Sequence, residues 1–249
     1  MPLLEETLKK QGMWLFRWRS YLPLIMLPLL FVIAKDTESI EKHFGENAGN
    51  IWEAFCFIIS LCGLFIRCIT IGYAPRGTSG RNTLYHRADV LNTTGAYSIC
   101  RNPLYLGNFL MILGVALFTE VWWFVVIFGV LFFIYYERII LSEEAFLKEK
   151  FGESYINWAH QTPVFFPKFQ HWKPNSLSFS FKNVLKKECH GLYGLSAAYF
   201  LLDILTGFSI HKKLTINKGW GTLFVITSIF FIIIKILKKR TSLFHAEGR

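Results

Sequence analysis

The sequence predicts an all-α, polytopic membrane protein with about six transmembrane helices. Three observations support this fold class. The chain of 249 residues is 53% hydrophobic and contains 25 Phe and 8 Trp, which is too apolar for a water-soluble domain of this length. Several apolar runs approach the roughly 20 residues that a helix needs to cross the hydrocarbon core. The connections between these runs differ sharply in charge, as expected for loops on opposite sides of a membrane.

Five apolar runs are predicted to form spanning helices, and a sixth is shorter. The sixth run, Tyr21 to Ala34, needs Met13 to Trp18 to reach full length. It carries Pro23 and Pro28, which favour a kink or a shallow insertion. The other five runs are Ile51 to Ile66, Leu104 to Phe118, Val121 to Tyr136, Gly191 to Ile210 and Trp220 to Ile234.

Lys and Arg in the connections predict the orientation of the chain. The N-terminal arm, residues 67–101, residues 138–187 and the tail are all basic, so they are assigned to the cytoplasm together with both termini. The acidic loop between the first two spans and the cation-free turn at Thr119 and Glu120 are assigned to the opposite side. Three lysines in an outer loop depart from this pattern: Lys212, Lys213 and Lys218.

The net charge of +10 could suggest a nucleic-acid partner, but the membrane is the better explanation. In a positive-inside protein each basic residue gains roughly 1 kcal/mol beside anionic headgroups. The five cysteines include no CxxC pair, and Cys56, Cys62 and Cys68 are six residues apart, which does not stack them on one helix face. No metal site is therefore predicted.

Polar chemistry concentrates first in residues 67–107, a stretch rich in Gly, Thr, Ser and Asn that predicts a partly re-entrant loop. Pro103 suits the first turn of the next helix, so Arg101 and Asn102 lie at a helix entrance, where free N–H groups attract anions. Two interpretations stay open: a carboxylate or phosphate site, or arginines that follow the positive-inside rule. The arginines concerned are Arg76, Arg81, Arg87 and Arg101.

The second polar region is Tyr135 to Pro167, where the fourth span continues beyond its apolar run. Phe and Tyr residues recur there at three- and four-residue intervals, which indicates one face of a helix. Glu143 and Glu144 lie one turn beyond the apolar run. Paired acids at such a position either bind a cation or face water.

Together these segments resemble a known family. "TTGAYSICRNPLYLG", a two-helix hairpin and "EEAFLKEKFGESYINW" resemble the core of the isoprenylcysteine carboxyl methyltransferases, which are similar in turn to the phospholipid N-methyltransferases. The resemblance covers Arg76 to Pro167. It implies an S-adenosylmethionine-dependent methyltransferase with a cytosol-facing cofactor pocket, and it agrees with the absence of a G-x-G-x-x-G segment after a strand. We therefore predict N-terminal helices over 1–66, a methyltransferase core over 67–168, and a linker with two helices over 169–249.

The resemblance also implies roles for individual residues. Arg81, Arg101, Glu143 and Arg138 are the catalytic candidates. Arg76, Arg81 and Arg87 are the candidates for binding the acceptor. The candidates for binding the cofactor are Asn82, Asp89, Val90, Leu91, Asn92, Tyr97, Asn102, Pro103, Leu104, Tyr105 and Glu144.

Two departures from the family pattern bear on the acceptor. Asn102 stands where the family usually has His, so no protonated imidazole is available at that position. The arginine that meets the prenyl-cysteine carboxylate in the eukaryotic enzymes falls at Ile139, and Arg138 is one residue, or about 100°, away on the helix. We therefore do not expect a prenylated protein terminus as the acceptor.

The arginine-rich loop is similar to bacterial members of the family that include lipid A phosphate methyltransferases. We expect O-methylation of an anionic headgroup, with lipid A phosphate as the leading candidate and a bacterial inner membrane as the location. A prenyl-cysteine carboxyl methyltransferase and a phospholipid N-methyltransferase are the alternatives within the family. A transporter or assembly subunit is the alternative outside it. The expected partners are a lipid acceptor and the bilayer, without nucleic acid; the sequence leaves the oligomeric state open.

Overall fold

The computed structural model describes residues 3–19, 33, 39–75, 78 and 86–241. Within these ranges the chain consists of helices and loops, without strands. The described residues form nine α-helices: α1 (Leu4–Trp18), α2 (Ser39–Phe44), α3 (Glu46–Gly72), α4 (Ala96–Ile99), α5 (Pro103–Phe118), α6 (Trp122–Phe151), α7 (Glu153–Gln161), α8 (Phe181–His211) and α9 (Lys218–Arg240).

The helices confirm the predicted fold class, an all-α polytopic membrane protein. Helices α3, α6, α8 and α9 are long and apolar enough to cross a membrane, and α5 is a shorter apolar helix. Each contains one of the five clear apolar runs. The shorter run, Tyr21 to Ala34, lies outside the described residues except for the buried Ile33.

Helix α8 begins well before the apolar run that predicts it. Helix α8 begins at Phe181, well before Gly191, because the Ser180 hydroxyl accepts a hydrogen bond from the Asn183 N–H and caps the helix. The Asn183 side chain also donates to the carbonyl of Ile71, 2.9 Å away, at the end of α3. This polar anchor holds the first turns of α8, which hydropathy alone does not reveal.

Glycines let α3 and α5 approach closely. A Cβ on Gly107 would lie 2.5 Å from Arg67 Cγ and 2.8 Å from the Gly63 carbonyl oxygen, and a Cβ on Gly114 would overlap the Cys56 carbonyl. Small residues at a helix crossing are typical of membrane bundles, since they bring the two backbones into contact. The α3–α5 contact is the most extensive in the fold, and α8 packs beside it on α3.

Helix α6 continues past its apolar run to Phe151 and carries Glu143 and Glu144 beyond the aromatic core. It ends at Gly152, whose φ of 53° is rarely adopted by residues with a side chain. The turn at Gly152 starts α7 and brings Tyr155 back toward α6. Helix α1 packs along the same part of α6, with Gly12 against the Arg138 carbonyl.

Asp203, an acidic residue within α8, makes a hydrogen bond to the start of α9. Its Oδ2 accepts from the backbone N–H of Asn217, 3.0 Å away. Asn217 is the N-cap residue of α9, so this contact ties the end of α8 to the start of α9.

Candidate functional site

The candidate site lies at the end of the bundle where α5 begins and α6 leaves its apolar core. Two loops frame it: the segment around α4 and the segment that follows α7. The Arg101 N–H donates to the Pro163 carbonyl at 2.8 Å, and the Lys168 N–H donates to the Ile99 carbonyl at 2.9 Å. These bonds fix the entrance of α5 against residues that come much later in the chain.

Asn102 holds this entrance instead of capping the helix with its side chain. Its Nδ2 donates to the Val164 carbonyl at 3.0 Å, and no cap hydrogen bond from its side chain is present. Pro103 occupies the first turn of α5, as the sequence predicts. The neutral amide at residue 102 therefore joins the two loops, a task that does not require the titratable group of a histidine.

Arg101 forms an ion pair with Glu144. Its Nη1 lies 2.7 Å from Glu144 Oε1, and both side chains are mostly buried. Tyr155 lies beside this pair, and burial together with the Glu144 carboxylate raises the pKa of its phenol to about 12. Among the residues that the structure describes, buried Arg101 Nε has no hydrogen-bond partner. Arg101 therefore keeps one donor that a ligand oxygen can use.

A second cluster surrounds Glu143. The phenol of Tyr105 lies beside the Glu143 carboxylate and interacts with it electrostatically. His86 Nδ1 lies 3.7 Å from Glu143 Oε1, and the His86 side chain is only 9% exposed. Because Glu143 and Glu144 are neighbours on α6, this cluster and the Arg101 pair form one continuous polar site.

The hydrogen bonds assign the tautomer of His86. The Ser142 hydroxyl donates to the Ile139 carbonyl at 2.8 Å, so it accepts from His86 Nε2, 3.1 Å away. Nδ1 then presents its lone pair, and it is buried without a hydrogen-bond partner. Two acceptors, Nδ1 and the Glu143 carboxylate, face each other without a hydrogen between them. Such a pair suits a cation or a donated proton.

Burial, and to a smaller extent the positive charge of Arg19, lower the pKa of His86 to about 4. The unfolded chain binds a proton at about pH 6.5 and the folded chain only near pH 4, so stability decreases as pH falls through this window.

We expect the free energy of unfolding in detergent to decrease by about 2 to 3 kcal/mol between pH 6.5 and pH 4 because of His86. The variant His86→Gln keeps a donor for Ser142 but cannot titrate. Its unfolding by SDS, measured at a series of pH values, should show a flatter dependence than the wild type. Equal slopes in the two proteins would exclude His86 as the source.

The structure brings together four predicted site residues: Arg101, Tyr105, Glu143 and Glu144. Tyr97 is adjacent; its carbonyl accepts from Trp158 Nε1 at 3.1 Å, and burial raises the pKa of its phenol. Leu104 follows in the first turn of α5. Three other predicted residues, Arg76, Arg81 and Asn82, lie outside the described residues.

The remaining predicted residues lie elsewhere. Arg87 pairs with Asp89 at 3.1 Å on the exposed surface, and Val90 is 54% exposed. Leu91 is partly buried, and Asn92 forms a local bond to Thr94. Arg138 contacts Gln11 of α1 at 3.2 Å and the Ile134 carbonyl, whereas Ile139 is fully buried. Arg138 thus faces α1, as the one-residue offset predicts.

Sequence reasoning missed three residues of the site. His86 comes from a loop with no recognisable motif. Tyr136 ends an apolar run and has no motif of its own, but its hydroxyl accepts from Asn108 at 3.0 Å and its ring centroid lies 4.6 Å from that of Tyr105. Asn108, a polar residue inside an apolar helix, was the available signal.

An open cleft of about 540 Å³ adjoins the Arg101–Glu144 pair. Helix α1 forms one wall and α6 the other, and Tyr155 closes one end. The lining residues are Glu5, Lys9, Leu141, Glu144, Ala145, Lys148, Glu149 and Tyr155.

Comparison with known proteins identifies relatives of the central part of the chain. Residues 54–154 match the phospholipid methyltransferase family. The chain is 38% identical over 86 residues to the nickel-cobalt-cadmium resistance protein NccN of Alcaligenes xylosoxydans xylosoxydans, covering 34% of this chain and 40% of that protein. It is 36% identical over 88 residues to the cobalt-zinc-cadmium resistance protein CzcN of Cupriavidus metallidurans, covering 35% and 40%.

The chain thus spans about two fifths of the length of these curated relatives. No solved structure matches it. The family match covers α5, α6 and nearly the whole candidate site, and it supports a membrane methyltransferase in general terms.

Proposed function

We propose that this protein is an integral membrane methyltransferase that uses S-adenosylmethionine to methylate the headgroup of a membrane amphiphile. One observation carries the proposal: the Arg101–Glu144 pair and the His86–Glu143 cluster adjoin each other at the mouth of the α5–α6 hairpin. This hairpin lies within residues 54–154, the segment that matches the phospholipid methyltransferases. A polar site at the end of membrane helices can meet a lipid headgroup while its acyl chains stay in the bilayer.

The charges of the site fit the proposed cofactor. S-adenosylmethionine combines a carboxylate with an ammonium group and a sulfonium. The buried Nε of Arg101 lacks a partner and can donate to the carboxylate. The Glu143 carboxylate and His86 Nδ1, which has no hydrogen-bond partner among the described residues, are acceptors that suit the cationic part. When bound, the cofactor supplies an electrophilic methyl group.

The residues of the chain would act mainly by alignment. Arg101 and Glu143 hold groups of opposite charge, and Tyr105 orients the Glu143 carboxylate. Tyr155, with 4% exposure, keeps water from the Arg101–Glu144 pair. Alignment of reacting groups with exclusion of water can supply roughly 7 to 11 kcal/mol of barrier lowering.

For the acceptor we propose an anionic headgroup, with the phosphate of lipid A as the leading candidate. A phosphate is already ionised at neutral pH, so it needs cationic positioning rather than a base. The arginines of residues 76–101 offer such positioning, although Arg87 and Arg101 each pair with an acid. The similarity of this loop to bacterial lipid A phosphate methyltransferases supports the same acceptor.

A second candidate is N-methylation of a phospholipid amine. The observation that favours it is the position of Glu143 beside His86, since the Glu143 carboxylate is an acceptor that can take the proton that an ammonium headgroup must lose. The two candidates differ in the atom that receives the methyl group, and an assay can separate them.

Calorimetry of the detergent-purified protein with S-adenosylmethionine tests the proposal first. We expect saturable binding by the wild type and by Arg87→Met. This variant is the matched control because the arginine that it removes is exposed. No binding at millimolar concentration by folded protein would end the methyltransferase proposal and favour a transporter or assembly subunit.

Methyl transfer from labelled cofactor then identifies the acceptor. Vesicles that contain lipid A, phosphatidylethanolamine or neither are offered to the same protein, and the products are analysed by mass spectrometry. A methyl ester on lipid A phosphate supports the first candidate, and methylated ethanolamine supports the second. Label in neither lipid would exclude both.

The names of the two relatives connect those proteins with metal resistance. For this chain we propose an indirect link through the headgroup. A phosphate monoester carries about −1.5 to −2 charges at neutral pH, and methylation lowers this charge, so a methylated membrane surface attracts fewer divalent cations. Cells with the wild-type chain should then bind less cadmium than cells with an inactive variant, measured as cell-associated metal.

A further inference from the structure

A series of side-chain contacts runs from α8 to the candidate site through the membrane-spanning helices. It starts at an ion pair in which the Arg67 guanidinium donates two hydrogen bonds to the Glu188 carboxylate. Nε donates to Oε2 at 2.8 Å, and Nη2 donates to Oε1 at 2.7 Å. Arg67 Nη1 donates in addition to Asn108 Oδ1 at 2.6 Å. One guanidinium thus joins α3, α5 and α8.

The series of contacts continues from Asn108 to the candidate site. Because Asn108 accepts through Oδ1, its Nδ2 is free to donate to the hydroxyl of Tyr136, 3.0 Å away on α6. The ring of Tyr136 packs on that of Tyr105 with centroids 4.6 Å apart. The Tyr105 phenol in turn interacts with Glu143. The charge on Arg67 therefore fixes the direction of each bond as far as Tyr136.

Burial makes this arrangement sensitive to the loss of a partner. The Glu188 side chain is 4% exposed and that of Arg67 is 20% exposed. Ionisable groups among membrane helices are costly and commonly serve function, and a bidentate arginine pair also imposes a defined geometry. Helix α8 lies outside the segment that matches the phospholipid methyltransferases, so nothing in that match explains Glu188.

We propose that Glu188 is a positioning residue of the methyltransferase site. Through Arg67, Asn108 and Tyr136 it holds Tyr105 against Glu143, so that α8 is part of the working enzyme. This inference rests on the proposed function for its kinetic consequence. Its structural consequence, the position of Tyr105, is independent of activity and can be measured without a ligand.

The experiment labels the full chain with 3-fluorotyrosine and assigns the Tyr105 fluorine resonance with Tyr105→Phe. We expect Glu188→Gln to shift this resonance and to lower kcat about 10- to 100-fold, the range of effect of a small misplacement near the reacting groups, with a smaller change in KM. The matched control is Tyr199→Phe, which removes another α8–α3 hydrogen bond, 2.9 Å long, to Ser60. It should leave the Tyr105 resonance and kcat unchanged.

Two further variants separate positioning from stability. Asn108→Ala removes the contacts between Arg67 and Tyr136 while Arg67 and Glu188 remain paired. It should shift the same Tyr105 resonance, and it replaces Glu188→Gln as the test if that variant does not fold. The double variant Arg67→Gln with Glu188→Gln leaves no buried charge; it should regain thermal stability but keep the displaced resonance and the low kcat.

An unchanged Tyr105 resonance in Glu188→Gln or in Asn108→Ala would overturn the inference, as would an equal shift in Tyr199→Phe. If the wild type neither binds the cofactor nor transfers methyl groups, the proposed function fails, and the fluorine measurement still decides whether Glu188 positions Tyr105.

Discussion

Replacing Arg101 with methionine is expected to weaken S-adenosylmethionine binding about 10- to 100-fold. The guanidinium holds Glu144 at 2.7 Å and retains one buried donor without a partner. A hydrogen bond to a charged group contributes about 1.5 to 3 kcal/mol, and each 1.4 kcal/mol changes affinity about tenfold. Calorimetry at pH 7 measures this loss, which should be accompanied by loss of methyl transfer.

The same change should destabilise the fold by about 2 kcal/mol, because it leaves the mostly buried Glu144 carboxylate without its cation. Adding Glu144→Gln should recover stability but not cofactor binding. Arg87→Met removes an arginine from an exposed pair and should change neither quantity. Full cofactor affinity in Arg101→Met would remove Arg101 from the site.

Substitution of Gly107 by alanine is expected to destabilise the protein by about 3 kcal/mol. The added Cβ would meet Arg67 Cγ at 2.5 Å and the Gly63 carbonyl oxygen at 2.8 Å, and overpacking of this kind costs about 1 to 3 kcal/mol or more. Since one obstacle is backbone, α3 and α5 must move apart. Thermal unfolding in detergent measures the effect.

Gly129→Ala is the matched control, since nothing lies within 4 Å of a Cβ added there on α6. Alanine favours a helix over glycine by about 1 kcal/mol, so this variant should be as stable as the wild type or more stable. A similar loss of stability in both variants would mean that the close α3–α5 crossing does not determine the effect.

The sequence was sufficient to predict most of the fold, because an apolar run long enough to cross a bilayer signals its helix locally. The five clear runs all became helices. Residues with local signals in the site were also predicted, such as Pro103 at a helix start and the Glu143 and Glu144 pair. The early start of α8 was missed because its anchor, Asn183 to Ile71, joins distant parts of the chain.

The contacts that complete the site could not be predicted for the same reason. His86 meets Glu143 and Ser142 across the fold, and Arg67 meets Asn108 and Glu188 on two other helices. In the sequence, His86 resembles an ordinary loop histidine, and Arg67 resembles a basic residue near a membrane surface. Only packing reveals that these side chains share partners.

The loop pairing at the entrance of α5 has a consequence for the order of assembly in the membrane. The Arg101 N–H and the Asn102 side chain bond to Pro163 and Val164, which are synthesised only after the whole α5–α6 hairpin. Chains emerge from the ribosome N-terminus first, so the hairpin can insert before the hydrogen bonds from Arg101 and Asn102 to residues 163 and 164 form. The end of the bundle that carries the candidate site is therefore completed late in biogenesis, after the spanning helices around it have entered the bilayer.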